Sequence, residues 1–312
     1  MIRCAMFENI IVTGGAGFIG SNVALRLQEA HPGAAITVID DFRSASFKNL
    51  EGFGGDVIAA DLSTLDLNEY FRAGAVDAVF HLASITDTTE HNQLLQVHDN
   101  VESWRNLLNF FAGEKTRFVY ATSAATYGIA SGLNRVEQPL QPANVYAFSK
   151  VQLENLARRF ALEYSSQTIV GLRYFNVYGP RESHKGAAAS MIYQLAQKMR
   201  AGERPRVFKH GEQKRDFVYV DDIVSYTLAA AQFAGSGVFN AGSGQPRSFN
   251  DIIENLNRVL GLQLEPEDID NPYPFYQPHT EADLTKTIPA LGVEPQYSLE
   301  TGLDEYLASG WL

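Results

Sequence analysis

The sequence predicts an α/β protein with a doubly wound parallel sheet and a smaller C-terminal α/β lobe. The first observation is that short apolar, β-branched runs alternate with helical patterns through the first half of the 312-residue chain, as they do where helices connect parallel strands. The second is that the run Ile10-Ile11-Val12 leads directly into Gly14-x-x-Gly17-x-x-Gly20 and then into a helical pattern. A strand-to-helix turn of this kind is typical of a Rossmann-type sheet.

The predicted elements follow in chain order. Apolar runs bounded by polar residues or glycine predict strands at 9–13, 35–40, 56–60, 77–82, 116–123 and 168–174. The segments between them predict helices near 18–31, 91–113 and 145–164. After Gly179-Pro180 the pattern changes, and it predicts a helix near 187–201, strands at 206–208 and 214–220, a helix capped by Asp221 and Asp222, and a return to the sheet at 239–242.

These elements are predicted to form two lobes. Residues 1–175 are expected to form a dinucleotide-binding Rossmann domain, with the sheet completed by about 216–245. Residues 176–215 and 246–312 are expected to form a substrate-binding lobe. The chain is therefore expected to cross between the lobes several times.

The glycine motif predicts where a dinucleotide would bind. Its glycines allow close approach of the backbone, and the unpaired N–H groups of the new helix attract a pyrophosphate. The second strand ends at Asp40, about where a carboxylate can meet an adenosine ribose. Asp40 favours NAD because a carboxylate repels a 2′-phosphate, whereas Arg43 and Lys48 could pair with that phosphate.

Composition limits the class of partner. The formal net charge of -11 and the pI near 5.1 argue against nucleic acid or an anionic membrane. Cys4 is the only cysteine, and the seven histidines show no metal-ligand spacing, so neither a disulfide nor a metal ion is expected. No signal-peptide pattern and no run of about 18 apolar residues occurs. We therefore expect a cytoplasmic protein.

Tyr146 and Lys150 are the candidate catalytic pair. Residues four apart lie on one face of a helix, so both side chains can reach one spot. A phenol with a pKa near 10 is a poor base at neutral pH, but a neighbouring ammonium and a nicotinamide cation would favour the phenolate. The strand just upstream delivers Thr122-Ser123, and Ser123 supplies a hydroxyl to hold a substrate oxygen. Chance surface placement of the pair is the alternative.

These motifs together resemble the extended short-chain dehydrogenases/reductases that act on nucleotide sugars. Two further segments are typical of that family: Arg173-Tyr174-Phe175-Asn176-Val177-Tyr178-Gly179-Pro180-Arg181 and Arg215-Asp216-Phe217-Val218-Tyr219-Val220. Narrower features resemble the ADP-glycero-manno-heptose 6-epimerases of lipopolysaccharide core assembly. They are Thr88-Thr89-Glu90, Ser123-Ala124-Ala125-Thr126-Tyr127-Gly128, Glu182 to Gly186 with His184-Lys185, and Tyr276-Gln277 followed by Thr280-x-Ala282-Asp283-Leu284.

The resemblance, which spans nearly the whole chain, implies two adjoining sites. The coenzyme is expected to be NADP, with NAD possible, and it would contact Gly14, Gly17, Phe18, Ile19, Gly20, Asp40, Asp41, Lys48, Asp61, Leu62, Leu82, Ala83, Ser84, Thr86, Asn100, Tyr146, Lys150 and Val177. A nucleotide diphosphate heptose would contact Ser123, Asn176, Lys185, Ala187, Gln194, Phe208, Lys209, His210, Gly211, Arg215 and Tyr276. Family members form homo-oligomers, including pentamers, so a homo-oligomer is expected.

Some positions depart from the family pattern. Ala187 and Gln194 cannot repeat the contacts of a serine and a histidine, and the loop before Arg215 is one residue shorter. Arg215 has an alternative role in a surface ion pair with Asp216 or Asp221. Tyr276 could equally pack in an aromatic cluster, and His81 reads as a structural histidine.

The resemblance implies a redox-neutral epimerase. Hydride would leave C6 of the heptose for the coenzyme, giving a 6-ketone, and would return to the other face, with Tyr146 and Lys185 as two acid/base groups. A 4,6-dehydratase is disfavoured because Ala124-Ala125 stand where an Asp-Glu pair is expected. A 4-epimerase, another sugar oxidoreductase and a coenzyme-binding sensor on the same fold are the remaining alternatives.

Overall fold

A seven-stranded parallel sheet forms the centre of the molecule. A computed structural model describes residues 7–87, 92–129, 132–271 and 278–312. The strands, in spatial order, are β11 (Gly237–Ala241), β7 (Ile169–Tyr174), β5 (Arg117–Ser123), β4 (Ala78–His81), β1 (Asn9–Thr13), β2 (Ala35–Asp40) and β3 (Asp56–Ala59). All neighbouring pairs are parallel, which confirms the predicted Rossmann-type fold class.

The strand order reverses between β1 and β4. From β1 the chain builds outward in one direction through β2 and β3, and in the other through β4, β5, β7 and β11. In open α/β sheets, ligands bind beyond the carboxyl ends of the strands at such a reversal. The segments that follow β1, β2 and β4 therefore surround the expected coenzyme site.

Helices cover both faces of the sheet. They are α1 (Phe18–Ala30), α2 (Gln93–Phe110), α3 (Val145–Glu163), α4 (Met191–Arg200), α5 (Val220–Ala230), α6 (Phe249–Leu260), α7 (Thr287–Leu291) and α8 (Leu299–Ala308). On one face α2 packs against α3 around the buried side chains of Trp104, Phe118 and Leu153. On the other face α1 packs against α5, and a second core continues into the C-terminal helices.

Three small sheets lie outside the central one. The first contains β12 (Pro246–Ser248), β10 (Lys214–Tyr219) and β8 (Asn176–Tyr178), and the other two pair β13 (Glu267–Ile269) with β9 (Arg206–Phe208) and β14 (Thr280–Ala282) with β6 (Gly132–Asn134). In the first of them β10 runs parallel to β8 and antiparallel to β12. The short strands thus join segments far apart in sequence.

The observed central strands agree with the predicted ranges to within one residue for the first six strands. The return to the sheet is β11, whereas the predicted strand 214–220 pairs with β8 and β12 instead. The helix expected near 187–201 is divided into a 3-10 helix, Ser183–Ala188, and α4. Neither Asp221 nor Asp222 caps α5, because the helix begins after Tyr219 and both residues lie in its first turn. The Asp222 carboxylate instead accepts hydrogen bonds from the backbone N–H groups of Gln296 and Tyr297.

The described part of the chain contains neither a candidate membrane-spanning helix nor a candidate metal cluster. Its helices include none that is both long and apolar enough to cross a membrane. Among the same residues, no group of three or more His, Cys, Asp or Glu side chains could hold a metal ion.

Candidate active site

The glycine-rich turn after β1 leaves no room for side chains. Gly14 has a φ of +66°, and a Cβ there would lie 2.6 Å from the backbone nitrogen of Ala83. A Cβ at Gly20 would lie 2.0 Å from the carbonyl oxygen of Gly14. These two glycines are therefore required for the turn to fold and for α1 to pack against it.

Helix α1 begins at this turn with Gly17 at its N-cap. Within the described residues, no side chain caps the helix, and its first turn carries no acidic residue. The first N–H groups of a helix and its macrodipole favour an anion at this position. The turn, the open helix start and the strand reversal together fit the pyrophosphate of a dinucleotide.

Asp40 holds the glycine-rich turn from the end of β2. Its Oδ2 atom accepts a hydrogen bond from the Ala16 N–H at 3.0 Å, and its Oδ1 atom accepts one from the Phe42 N–H at 2.9 Å. Burial raises the pKa of Asp40, while these backbone bonds lower it. The Asp40 carboxylate, which is predicted to contact the ribose, therefore also holds the glycine-rich turn in shape.

Arg43 connects several of the residues expected around the adenosine. Its guanidinium forms ion pairs with Asp41 at 2.5 Å, Asp61 at 2.8 Å and Asp99 at 2.5 Å. Asp99 was not predicted from the sequence as a member of this group. It lies on α2, 56 residues from Arg43. Lys48 is exposed on the following 3-10 helix, and Leu62 is buried beside Asp61.

The loop after β4 borders the coenzyme site on its other side. It contains Leu82, Ala83, Ser84 and Thr86, of which only Thr86 is exposed. Asn100 is 1% exposed and holds this loop: its Oδ1 accepts from the Ile85 N–H at 2.7 Å, and its Nδ2 donates to the Ser149 Oγ at 3.0 Å. Asn100 therefore links the loop to the helix that carries Tyr146.

Ser123, Tyr146 and Lys150 come together at the carboxyl end of β5. Asn144 caps α3 by accepting a hydrogen bond from Ala147 N–H at 2.8 Å, which starts the helix just before Tyr146. The Ser123 side chain lies close enough to the Tyr146 phenol to lower its pKa. The Lys150 Nζ lies 5.7 Å from the centre of the Tyr146 ring and donates to the Ala121 carbonyl at 3.0 Å.

The pKa shifts of Tyr146 and Lys150 differ from those predicted from the sequence. Burial raises the pKa of Tyr146, and only the Ser123 hydrogen bond lowers it. Burial also lowers the pKa of Lys150 to about 7, so the lysine is only partly charged near neutral pH. The prediction that Lys150 lowers the pKa of Tyr146 is therefore not met by the protein alone. Of the two charges expected to lower that pKa, the positive charge of a bound nicotinamide remains.

A buried network of hydrogen bonds and one ion pair lies behind β5 and was not predicted from the sequence. Glu154 accepts a hydrogen bond from the Thr122 hydroxyl at 2.8 Å and pairs with Arg173 at 2.7 Å. Arg173 also donates to the Tyr127 hydroxyl at 2.9 Å. Glu154 follows Lys150 by four residues, so helical spacing is the signal that could have found it.

Lys185 lies on the 3-10 helix that follows β8. Its Nζ is 5.9 Å from the centre of the Phe18 ring, at the start of α1. Burial lowers the pKa of Lys185, and the nearby Glu182 raises it. Glu182 is itself 1% exposed, and its carboxylate accepts hydrogen bonds from the Ser190 N–H and the Tyr306 hydroxyl. Lys185 is therefore placed against the glycine-rich turn by a well-bonded segment.

The other residues expected to bind substrate have different surroundings. Asn176 and Ala187 are exposed and Val177 is half-buried. The Gln194 side-chain amide donates to the carbonyls of Ala187 and Ala189 at 3.1 and 2.8 Å. Gln194 thus supports the loop that ends the Lys185 segment, in place of the ligand contact expected of a histidine.

The segment Phe208 to Gly211 begins at the last residue of β9 and continues into the loop before β10. Lys209 and His210 pair with Asp270 and Asp268, at 2.7 and 3.0 Å. Gly211 is buried, with its carbonyl accepting a hydrogen bond from Asn250 N–H. These contacts direct the side chains of Lys209 and His210 toward β13 and the residue that follows it.

Arg215 and its neighbours complete the predicted set. The Arg215 guanidinium donates to the Lys214 carbonyl at 2.8 Å. Asp216 is not available as its ion-pair partner in the way considered above, since it is fully buried and bonded to Ser243, Gly244 and Ala282. Tyr276 lies outside the residues that the structure describes, as do Thr88, Thr89 and Glu90.

His81 is a buried structural histidine, as expected, although its Nε2 atom has no hydrogen-bond partner among the described residues. It is 1% exposed, its Nδ1 lies 2.8 Å from the Thr13 hydroxyl, and its ring stacks on Trp104 at 5.0 Å. Burial lowers its pKa to about 3, with a smaller effect of the Lys150 charge. A neutral imidazole therefore packs between the sheet and α2.

Known proteins share the fold of this chain. The chain is 42% identical to ADP-L-glycero-D-manno-heptose-6-epimerase of Helicobacter pylori, with a TM-score of 0.88 over 97% of this chain and 96% of that one. It is 30% identical to UDP-glucose 4-epimerase of Thermotoga maritima, solved with UDP-glucose (TM-score 0.88, 97% and 99% covered). It is 27% identical to UDP-glucuronic acid 4-epimerase of Bacillus cereus, solved with UDP-glucuronic acid and NAD (TM-score 0.84, 97% and 100% covered).

A family model matches most of the sequence. The matched residues, 10–242, include the glycine-rich turn, the Ser123, Tyr146 and Lys150 group, and the Lys185 segment. The match covers more than half of the chain, and the relatives named above cover nearly all of it. The chain therefore belongs to the NAD-dependent epimerase/dehydratase family, whose solved relatives act on nucleotide sugars.

Proposed function

We propose that this protein is a nucleotide-sugar epimerase that interconverts ADP-D-glycero-D-manno-heptose and ADP-L-glycero-D-manno-heptose through a 6-keto sugar, for lipopolysaccharide core assembly. The observation that carries the proposal is Lys185, a half-buried lysine held against the glycine-rich turn on an element other than the one that carries Tyr146. The 42% identity to the Helicobacter pylori heptose epimerase supports the substrate. We also propose assembly as a homo-oligomer, such as the pentamers of the family.

The chain's own residues account for the proton transfers. A bound nicotinamide coenzyme would accept a hydride from C6 and later return it. Ser123 holds the C6 oxygen, and Tyr146 removes its proton as the C–H bond breaks, so that the alcohol becomes a ketone. Lys150 lies beside the Tyr146 ring, but burial lowers its pKa to about 7, so its charge would stabilise the phenolate only in the fraction of molecules that carry the protonated lysine. In the return step, hydride adds to the opposite face of the ketone, and the oxygen takes up one proton.

A second acid/base group removes a geometric constraint. The C6 oxygen points differently in the two epimers, so one fixed phenol could serve both only if the sugar pivoted about a constant oxygen position. Lys185 can serve the second orientation, because it lies on a different element from Tyr146 and burial lowers its pKa from the ordinary lysine value, although the nearby Glu182 raises it. A 4,6-dehydratase is disfavoured because Ala124 and Ala125, on the turn after β5, carry no acid or base.

A 4-epimerase is the second candidate function. The likeness to UDP-glucose 4-epimerase and UDP-glucuronic acid 4-epimerase supports it. The two candidates differ in the substrate that turns over: an ADP-heptose in one and a UDP-hexose in the other. Proton NMR of each nucleotide sugar incubated with the protein distinguishes them.

The experiment that tests the two-base mechanism compares Tyr146→Phe and Lys185→Met. Each is expected to lose epimerisation by at least about a hundredfold, the usual contribution of one acid/base group, and to retain residual activity toward opposite epimers. With a 6-aldehyde analogue, Lys185→Met is expected to retain dismutation, because that reaction needs hydride transfer without exchange of epimers. Proton NMR measures both reactions.

Matched controls keep this result specific. Lys198→Met on α4 and Tyr70→Phe change exposed side chains and are expected to keep wild-type turnover. Epimerisation by Lys185→Met at the wild-type rate would remove Lys185 from the mechanism, and more than about a tenth of wild-type turnover in Tyr146→Phe would remove Tyr146.

NADP is the proposed coenzyme, with NAD as the alternative. The resemblance supports NADP, but Asp41, Asp61 and Asp99 share Arg43, so a 2′-phosphate would have to displace a carboxylate from the guanidinium. We therefore expect both coenzymes to bind, with the preference for NADP weakened. Mass spectrometry of coenzyme released from freshly purified, denatured protein is the measurement, and recovery of NAD alone would exclude NADP.

A further inference from the structure

Asn49 connects three segments through one buried side chain. It lies on the 3-10 helix Phe47–Leu50, after β2, and it is 1% exposed. Its Nδ2 atom lies 3.0 Å from the Ala16 carbonyl oxygen, 3.1 Å from the Arg181 carbonyl oxygen and 3.1 Å from the His184 Nδ1. The amide has two N–H bonds, so these three acceptors share two donors.

Two of these partners, Ala16 and His184, lie in different parts of the candidate site. Ala16 is in the glycine-rich turn, where its N–H is already held by the Asp40 carboxylate. His184 is the residue directly before Lys185. Asn49 therefore holds the Ala16 carbonyl, in the peptide unit after the one that Asp40 holds, and with the same atom the segment that carries Lys185.

A second asparagine makes a parallel connection from α1. The Asn22 Nδ2 donates to the Pro180 carbonyl at 3.1 Å, and its Oδ1 accepts from the Arg181 guanidinium at 2.9 Å. The turn before Lys185 is thus attached to the coenzyme-binding elements at three of its residues. Asn49 differs from Asn22 in that it also contacts the glycine-rich turn itself.

We propose that Asn49 is a positioning residue that couples coenzyme binding at the glycine-rich turn to the placement of Lys185. A coenzyme that orders the turn would order the Ala16 carbonyl, then Asn49, and through it the backbone at Arg181 and His184. Coupling of this kind is reciprocal, so loss of the Asn49 bonds is expected to weaken coenzyme binding as well. The catalytic consequence rests on the proposed role of Lys185, but the coupling can be measured without any sugar.

The experiment is hydrogen exchange of the full chain with and without NADP or NAD. In the wild-type protein, coenzyme is expected to slow exchange across 181–189, which includes the Lys185 N–H bonded to the Glu182 carbonyl and the Ala189 N–H bonded to the Gly186 carbonyl. Asn49→Asp keeps the side-chain shape but removes both donors. We expect the coenzyme-dependent slowing to fall by about tenfold, the size expected for one or two lost hydrogen bonds.

Coenzyme affinity and turnover supply the second readout. Asn49→Asp is expected to bind coenzyme about tenfold more weakly and to lose about 10- to 100-fold in kcat, because small displacements of a reacting group are costly, with a smaller change in KM. Asn257→Asp is the matched control, since its Nδ2 likewise donates to a backbone carbonyl, that of Leu264, in the C-terminal lobe. It is expected to match wild type in all three measurements.

Each outcome decides the proposal. Asn49→Ser, which adds no charge, replaces Asn49→Asp if the latter does not fold. Wild-type protein without coenzyme-dependent slowing, or folded variants that keep it, would overturn the coupling even if kcat fell. Loss of slowing in the variants, in a protein that epimerises no ADP-heptose, would leave the coupling standing and overturn the proposed function.

Discussion

Individual buried side chains carry unusual protonation states in this molecule, and burial is the shared cause. Lys150 is 2% exposed and its pKa is lowered to about 7, while His81 is 1% exposed and its pKa is lowered to about 3. Both residues belong to the region around β4 and α3, and the Lys150 charge further disfavours a charged His81. One of them is placed for chemistry, while the other supports the sheet as a neutral ring.

His81 makes stability depend on pH in a defined direction. Its pKa is about 3 in the folded protein and about 6.5 in an unfolded chain, so the unfolded state binds the extra proton between those values. The contribution of His81 to the free energy of unfolding is therefore complete above about pH 6.5. It is lost as the pH falls toward 3, by up to about 1.4 kcal/mol per pH unit. Lys150 adds a slope of the same sign only above pH 7.

The prediction concerns His81→Gln, which cannot take up that proton. Between pH 6.5 and pH 5, the free energy of unfolding of the wild type is expected to fall by about 2 kcal/mol more than that of the variant. Urea denaturation at a series of pH values measures both. The same exchange at the exposed His98 on α2 controls for replacing an imidazole with an amide. Parallel pH curves for wild type and His81→Gln would contradict this account.

At the scale of elements, α3 is joined to the strands beside it by one carboxylate. Glu154 accepts from the Thr122 hydroxyl of β5 and pairs with Arg173 of β7, with both oxygens used. Thr122 precedes Ser123, and Glu154 follows Lys150 by one helical turn. The same contacts that bury an ion pair therefore set the distance between the hydroxyl of β5 and the phenol of α3.

The prediction for this element is that Glu154→Gln destabilises the protein. Removing one charge leaves Arg173 buried without its counter-charge, which costs about 3–5 kcal/mol in comparable buried pairs. Equilibrium unfolding in urea measures the change. Glu163→Gln, at the exposed end of the same helix, is expected to change stability by less than about 0.5 kcal/mol. Equal stabilities of the two variants would show that the pair does not hold α3 in place.

At the scale of the whole molecule, the candidate site lies at the carboxyl edge of the central sheet, beside the segments that leave that sheet after β7. β8 follows β7 by one residue, yet it leaves the central sheet and pairs with β10. Asp216 of β10 then accepts hydrogen bonds from the N–H groups of Ser243, Gly244 and Ala282. The chain returns to the central sheet at β11, so the central sheet and the small sheet of β8, β10 and β12 are formed by interleaved segments of the chain.

The sequence by itself determined the central sheet and the main catalytic candidates. Apolar, β-branched runs predict buried parallel strands, because a strand covered on both faces needs them along its length. The glycine motif was predictable because only glycine fits where a Cβ would lie 2.0 Å from a carbonyl oxygen. Tyr146 and Lys150 were predictable because helical spacing alone brings them together.

Only the tertiary structure decided the contacts between residues far apart in the chain. Arg43 meets Asp99 across 56 positions, and Asn49 meets His184 across 135. The partner of β10 was also decided at this level, because a short strand can pair with any edge that the fold brings near. Local periodicity carries no record of such pairings. They arise from packing, which places Lys185 against the glycine-rich turn and gives it the surroundings on which the proposed chemistry depends.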